Sequence, residues 1–305
     1  MANSVLNHPR FHDEAAAFAY VEAQLWPNGP VCPFCEPSEK PAKIGRLTGK
    51  TTRFGLHKCY GCRKPFTVRK DTVFEESLLP LHLWLQAIHL LCASKKGIST
   101  KQLQRMLKCS MKTAWFLSMR IRTCMTPLNV EPLGGEGITV EADETAITNS
   151  RKTRRGPGRK KPKMHVLALV ERGGPIRAMI VDHRGIRPLV RKHVHEKSRL
   201  VTDMGAEYKK LLPAGQHETV DHSKYEWARD DVSVNSLEGW FSVLKRGLVG
   251  VYQNVDKRHF DRYLAEFSFR QNTRAKLGIN DEQRAAIALQ GAKGKRLTYA
   301  ATGGA

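Results

Sequence analysis

ITVEADETAI, residues 138–147, decides how the second half of the chain is read. It has the look of a strand, and MHVLALVER (164–172) and IRAMIVD (176–182) follow it in hairpin succession. Next come a helix candidate, RPLVRKHVHEK (187–197), a strand, RLVTD (199–203), a helix, a strand, HETVDH (217–222), and the helix-forming VSVNSLEGWFSVLKRG (232–247). Three hairpin strands followed by helix, strand, helix, strand, helix predict an α/β (α+β) architecture. The sheet is mixed and flanked by helices, not doubly wound and parallel. In such a sheet the first and fourth strands can lie side by side, with the last helix packed across their ends. That would gather Asp143, Asp203 and Glu238 from distant positions. Alternation puts Glu141 and Asp143 on one face of the first strand, so periodicity does not choose between them. On the helix, Leu237, Trp240, Phe241, Leu244 and Leu248 form an apolar stripe, and Glu238 and Lys245, seven apart, share a polar face beside it. Asn235 can cap this helix, with Glu238 completing a capping box.

The chain has 305 residues, with 51 Lys and Arg against 29 Asp and Glu, a formal charge of +22. A surplus of that size calls for a polyanionic partner, and nucleic acid, double-stranded DNA included, is the usual one. No run of 18 apolar residues and no signal-peptide pattern is visible, so a soluble, intracellular (cytoplasmic) protein is expected. The basic run RKTRRGPGRKKPK (151–163) has eight Lys or Arg in thirteen residues. Such a run is ordinarily a solvated loop, and its composition suits an arm that orders on phosphates through Arg151, Lys152, Arg154, Arg155, Arg159, Lys160, Lys161 and Lys163. Clustered acids inside so basic a chain call for hard divalent cations, which take carboxylate oxygens and substrate phosphate together.

In the first half, CPFC (Cys32, Cys35) and CYGC (Cys59, Cys62) are separated by 23 residues. Two such knuckles make a zinc ribbon, in which four thiolates hold a structural Zn2+ and leave no position open for catalysis. Cys92, Cys109 and Cys124 fall in helical-looking segments as reduced thiols. Residues 12–25 favour a helix stopped by Pro27 and Gly29, and 81–93 read as a buried helix. Ser99 or Thr100 can cap a short helix ending at Leu107, and after a Lys-Cys-Ser turn Ser110 caps another. That pair suits a helix-turn-helix whose second helix offers Lys112 and Thr113 to a major groove. The boundaries expected are 1–76 for the first helix and ribbon, 77–130 for the helical segment, 138–278 for the sheet domain, and 279–305 for a basic flexible tail.

The stretches WPNGPVCPFC, KCYGCRKPFTVRKDTVFE, VEADET, VTDMGAEY, VDHSKYEWA, VNSLEGWFSVLKRGLVGVYQNV and RYLAEFSFRQN run in order over roughly residues 12–275. Together they resemble an insertion-sequence transposase of the ISXO type, within the DDE transposase and retroviral integrase superfamily. The resemblance implies a ribonuclease-H-like catalytic domain in which Asp143, Asp203 and Glu238 match the acidic triad that binds Mg2+ or Mn2+. Lys245 matches the basic residue seven positions after the glutamate, and Arg246 follows it toward DNA. It further implies cleavage at terminal inverted repeats, strand transfer into target DNA, and a homodimer or larger assembly on DNA. Asn235 is the alternative third member of the triad. His222, in VDHSKY, lies at a strand end near the same site. Asp71 stands where the resemblance leads to an expectation of glycine. The competing expectation is a catalytically inactive, domesticated zinc-ribbon and helix-turn-helix regulator. A tyrosine recombinase finds no support, because Tyr252 and Tyr263 lack the accompanying arginines and histidine.

Overall fold

Ten residues of ITVEADETAI and its border, Thr139–Thr148, form β4, the strand on which the larger sheet is organised. The computed structural model describes residues 4–36, 42–128, 130–148, 163–181, 185–203, 205, 208, 211, 215–220, 228–229, 231–253 and 255–298. They divide into two compact units, one of 1–94, 98–125 and 279–305 and one of 95–97 and 126–278.

The first unit begins with α1 (Glu14–Leu25), whose Asp13 cap accepts the Ala16 N–H at 2.7 Å. A small antiparallel sheet follows, in the order β1 (Ile44–Arg46), β2 (His57–Cys59), β3 (Pro65–Phe66). Next, α2 (Leu81–Ala93) buries Leu81, Trp84, Leu85, Ile88 and Leu91. Pro80 gives α2 no cap of its own, and the Glu14 carboxylate on α1 accepts the Leu81 and His82 N–H groups instead (2.8 and 3.2 Å). Helices α3 (Thr100–Leu107) and α4 (Met111–Cys124) are capped by Ser99 and Ser110, as their sequence predicts, and Lys108 makes the turn in the left-handed region. The expectation of a flexible tail from 279 is corrected. Asn280 and Gln283 close a capping box on α8 (Asp281–Gln290), which packs on α2, and Lys295 donates to the Cys124 carbonyl at 3.2 Å.

The second unit holds a five-stranded sheet in the order β6-β5-β4-β7-β8. Strands β4, β5 (Lys163–Glu171) and β6 (Ile176–Val181) are antiparallel, whereas β4, β7 (Arg199–Asp203) and β8 (His217–Val220) are parallel. This is the mixed sheet predicted from the order of the segments, in the ribonuclease-H-like arrangement that the resemblance implies. Val140, Ala142, Leu167, Leu169 and Leu200 form one core with Ile186 and Val190 of α5 (Ile186–His193). Val201 and Val220 cluster with Val232 and Val234, which lead into α6 (Asn235–Gly247). Helix α6 buries Leu237, Trp240, Phe241 and Leu244, the stripe read from its spacing. At its end Gly247 lies so close to Phe267 of α7 (Phe260–Asn272) that a Cβ would meet the ring at 2.4 Å. The helix expected between β7 and β8 falls largely outside the described residues.

Candidate active site

The parallel register of β4 on β7 runs to Ala142 opposite Thr202. One step further, at the ends of both strands' pairing, come Asp143 and Asp203. Carboxylate oxygens of Asp143, Glu144 and Asp203 all lie within 4.8 Å of one another. Burial, then the charges of Asp203, Glu144 and Glu238, push the Asp143 carboxyl up to about 7, against a single opposing hydrogen bond from the Glu144 N–H at 2.7 Å. Asp203 accepts the Gly205 N–H at 3.2 Å, which holds its side chain at the strand end. Glu238 is exposed in the first turn of α6, outside the tight group yet near enough to act on Asp143 electrostatically. Among the described residues, then, Asp143 and Asp203 come together, and Glu238 lies outside their group but close enough to act on Asp143.

Glu144 was not anticipated as a member. Alternation along β4 sends it toward the opposite face; it stands past the last β4–β7 pair, while its own pairing with Leu167 of β5 continues, and its carboxylate nonetheless lies with those of Asp143 and Asp203. The Tyr208 hydroxyl donates to it. Burial, followed by the Glu144 charge, raises the Tyr208 pKa, so this phenol remains a proton donor. The signal for Tyr208 lay in VTDMGAEY, five residues past Asp203.

Glu141, which periodicity could not separate from Asp143, is taken up structurally. It is buried and accepts Nε–H of Arg172 at 2.9 Å. The capping box proposed for α6 does not form. Val234, not Asn235, is the N-cap, and no side-chain cap bond comes from the segment itself. Asn235 is the exposed first residue of the helix, and Lys245 and Arg246 are exposed in its last turn, with Arg246 Nε donating to the Ser242 carbonyl at 3.2 Å.

The second cluster is made of sulfur. Thiols of Cys32, Cys35, Cys59 and Cys62 lie within 4.8 Å of one another, with Cys32–Cys62 at 3.6 Å and Cys35–Cys59 at 3.7 Å. A tetrahedron of Zn–S bonds of about 2.3 Å has edges of about 3.8 Å, so these donors fit that ion. Backbone N–H groups of Cys62 and Gly61 bring Cys59 down to about 7, whereas hydrogen bonds shared with the other three thiols push Cys35 up to about 12. Such opposition is what four crowded thiols give until a cation lets them all ionise. Trp26, Ile44 and Phe66 pack around the cluster. The carboxylate group likewise fits a hard cation: its 4.8 Å limit is within side-chain rotation of the about 3–4 Å that separates oxygens around an octahedral ion.

Comparison with known proteins matches residues 12–65 to the transposase zinc-ribbon domain and residues 132–272 to the ISXO2-like transposase domain. The chain thus carries an ISXO2-like transposase domain behind a transposase zinc ribbon. It is also 28% identical over 273 residues to a protein in transposable element ISH50 of Halobacterium salinarum, covering 83% of this chain and 89% of that protein. The matched transposase domain contains β4 to β8, α6 and all of α7, so Asp143, Glu144, Asp203 and Glu238 fall within it.

In this transposase, Lys112 is exposed at the start of α4, but Thr113 is engaged locally: its N–H and hydroxyl meet the Ser110 hydroxyl at 3.0 and 2.8 Å. Arg151, Lys152, Arg154, Arg155, Arg159, Lys160 and Lys161 lie outside the described residues, as does His222. Lys163 opens β5, and its side chain is likewise outside them. Tyr252 donates to Glu266 at 2.6 Å and packs edge-on against the buried Tyr263, structural roles for both phenols. No helix among the described residues is long and apolar enough to cross a membrane.

Proposed function

We propose that this transposase cuts DNA at the terminal inverted repeats of its insertion sequence and joins the freed ends to target DNA by in-line phosphoryl transfer. The reading is supported above all by one observation: carboxylates from adjacent parallel strands come within 4.8 Å, and burial together with their repulsion raises Asp143 to about 7, in a chain of charge +22. Acids are brought together against their mutual repulsion at a site meant for cations and phosphate. Asp143, Asp203 and Glu238 would hold Mg2+ or Mn2+, and such ions supply activation of the attacking oxygen and charge stabilisation of the leaving one. Glu144, kept in place by Tyr208, stands beside them as a further anionic wall. Lys245 would grip a phosphate of the bound strand from the far end of α6 as a point charge, and Arg246 beside it through its planar guanidinium. The thiols of the ribbon would hold Zn2+ and give a rigid DNA-facing module, with Lys112 and the 151–163 arm adding phosphate contacts. Pairing of two element ends calls for a homodimer or larger assembly on DNA.

The test is nicking of end-sequence DNA by the purified chain with Mg2+ or Mn2+. Wild type should bind and cut, Asp203→Ala should bind without cutting, and Glu238→Ala should lose far more activity than Asn235→Ala. Equal binding by wild type and Asp203→Ala with no cutting by either would leave the inactive DNA-binding regulator as the better account.

A further inference from the structure

We propose that Glu141 and Arg172 are positioning residues that fasten the start of α6 to the sheet and so hold Glu238 opposite Asp143. The inference rests on the reading of Glu238 as a metal ligand given above.

Helix α6 begins without a side-chain cap from its own segment, leaving its first N–H groups in need of acceptors. Glu141 supplies one from a strand 95 residues away: its Oε2 accepts the Ser236 N–H at 3.2 Å. Its Oε1 accepts the Ser236 hydroxyl at 3.1 Å and the Arg172 Nε–H at 2.9 Å. Arg172, just past the end of β5, closes the loop by donating its Nη2–H to the Ser233 carbonyl at 2.9 Å. Three hydrogen bonds thus cross from Glu141 and Arg172 to residues 233–236, a fourth joins the two side chains to each other, and Glu238 follows two residues later.

Three physical features make this a clamp. The Glu141 side chain is only 2% exposed, so its charge must be matched where it stands, and Arg172 and the helix start match it together. The N-terminal end of a helix carries partial positive charge, which favours a carboxylate there. Finally, Glu141 and Asp143 project from the same face of one strand, about 7 Å apart along it. The residue that anchors α6 and the residue that Glu238 faces are therefore set on the same rigid segment. A slip of the helix start would move Glu238 relative to Asp143 without disturbing the contact between Asp143 and Asp203.

The test uses the full zinc-loaded chain and reads Mn2+ affinity by electron paramagnetic resonance beside hydrogen exchange of the amides of 236–240. Glu141→Ala should speed exchange at these amides and weaken Mn2+ binding by about tenfold or more, as loss of a supporting partner does. Glu141→Gln, which keeps an acceptor but not the charge, should lie between it and wild type. In a double-mutant cycle, Glu141→Ala should cost nothing further once Glu238→Ala has been made, because it acts through that residue. Additive losses, or unchanged affinity in Glu141→Ala, would overturn the positioning role. Should Glu141→Ala fail to fold, Ser236→Ala removes one bond of the clamp and must show a smaller loss that again vanishes in the Glu238→Ala background. Mn2+ bound equally by wild type and Asp203→Asn would remove the metal reading itself, an outcome distinct from additivity, and the positioning role with it.

Discussion

The thiol cluster and the carboxylate cluster are each gathered within 4.8 Å, but they stand in opposite relations to the fold. The thiols come from two four-residue knuckles beside a sheet whose strands are three, three and two residues long, and among the described residues Trp26, Ile44 and Phe66 are the apolar side chains clustered with them. The carboxylates stand at the rim of a five-stranded sheet with buried valines and leucines on both faces. One cluster is the centre around which its module condenses. The other is a local strain that a large core tolerates. Metal should therefore be a structural requirement for the ribbon and a chemical one for the transposase domain.

The largest expected effect tests the first half of that contrast. Structural Zn2+ contributes apparent binding energies of about 10–16 kcal/mol, more than a sheet this small can replace. Chelation, or Cys59→Ser, should unfold residues 32–62, seen as rapid amide exchange and proteolysis there, while β4 to β8 keep their protection. DNA binding should fall with it. A ribbon that stays protected after zinc is removed would break the comparison at its base.

On the carboxylate side the expected loss is of activity alone. Asp203→Asn should lower cleavage by about 1,000-fold or more, the scale on which members of a catalytic set fail. Its melting temperature should hold or rise, because one of the charges repelling Asp143 has gone. A variant that unfolded instead would show that the acids build the sheet, and the contrast would vanish.

Why the sequence disclosed one cluster so readily and the other only in part has the same origin. CPFC and CYGC carry their chemistry within local spacing, whereas the acids of VEADET have a period that Glu141 and Asp143 share. Only the partner across the sheet separates them: Arg172 takes Glu141, and Asp203 meets Asp143. The strands, the stripe on α6 and the Ser99 and Ser110 caps were legible because each depends on neighbours in sequence. The cap on α6 was not, since a distant carboxylate provides it and displaces the plausible Asn235. Nor was α8, where the Gly, Ala and Lys that follow hide a capping signal formed by Asn280 and Gln283. Glu144 escaped because alternation assigns it the face opposite Asp143, and its contact with the cluster comes only from the length of its side chain and the Tyr208 hydroxyl that holds it.

A pH series sharpens the idea of tolerated strain. Asp143 has its folded pKa raised to about 7 from an ordinary 3.8. A group raised in this way contributes its full stability below the lower value and loses it as pH climbs through the upper one. In metal-free protein, the melting temperature of wild type relative to Asp143→Asn should therefore decline between about pH 4 and pH 7, and Mg2+ should oppose that decline near neutrality. A difference that is flat across this range would mean that the carboxylates are not strained at all.

The smallest effect is a control within the ribbon-bearing unit. Asp71 stands where the resemblance leads to an expectation of glycine, and its φ of 57° suits that expectation: the chain turns there through the left-handed region. Aspartate is tolerated in this region more readily than most residues, and its N–H is held by Glu75 Oε2 at 3.0 Å. Asp71→Gly should consequently raise thermal stability by no more than about 1 kcal/mol, relief of backbone strain being partly offset by a freer unfolded chain. Asp71→Val should lower it by about 1–2 kcal/mol, because a β-branched side chain suits this region poorly. Neither change should alter cleavage per folded molecule, since the turn strain lies in the backbone of one unit and the carboxylates in the other. A rate that followed Asp71 would mean that the two units are coupled, and the separation of structural from chemical metal would have to be redrawn around that coupling.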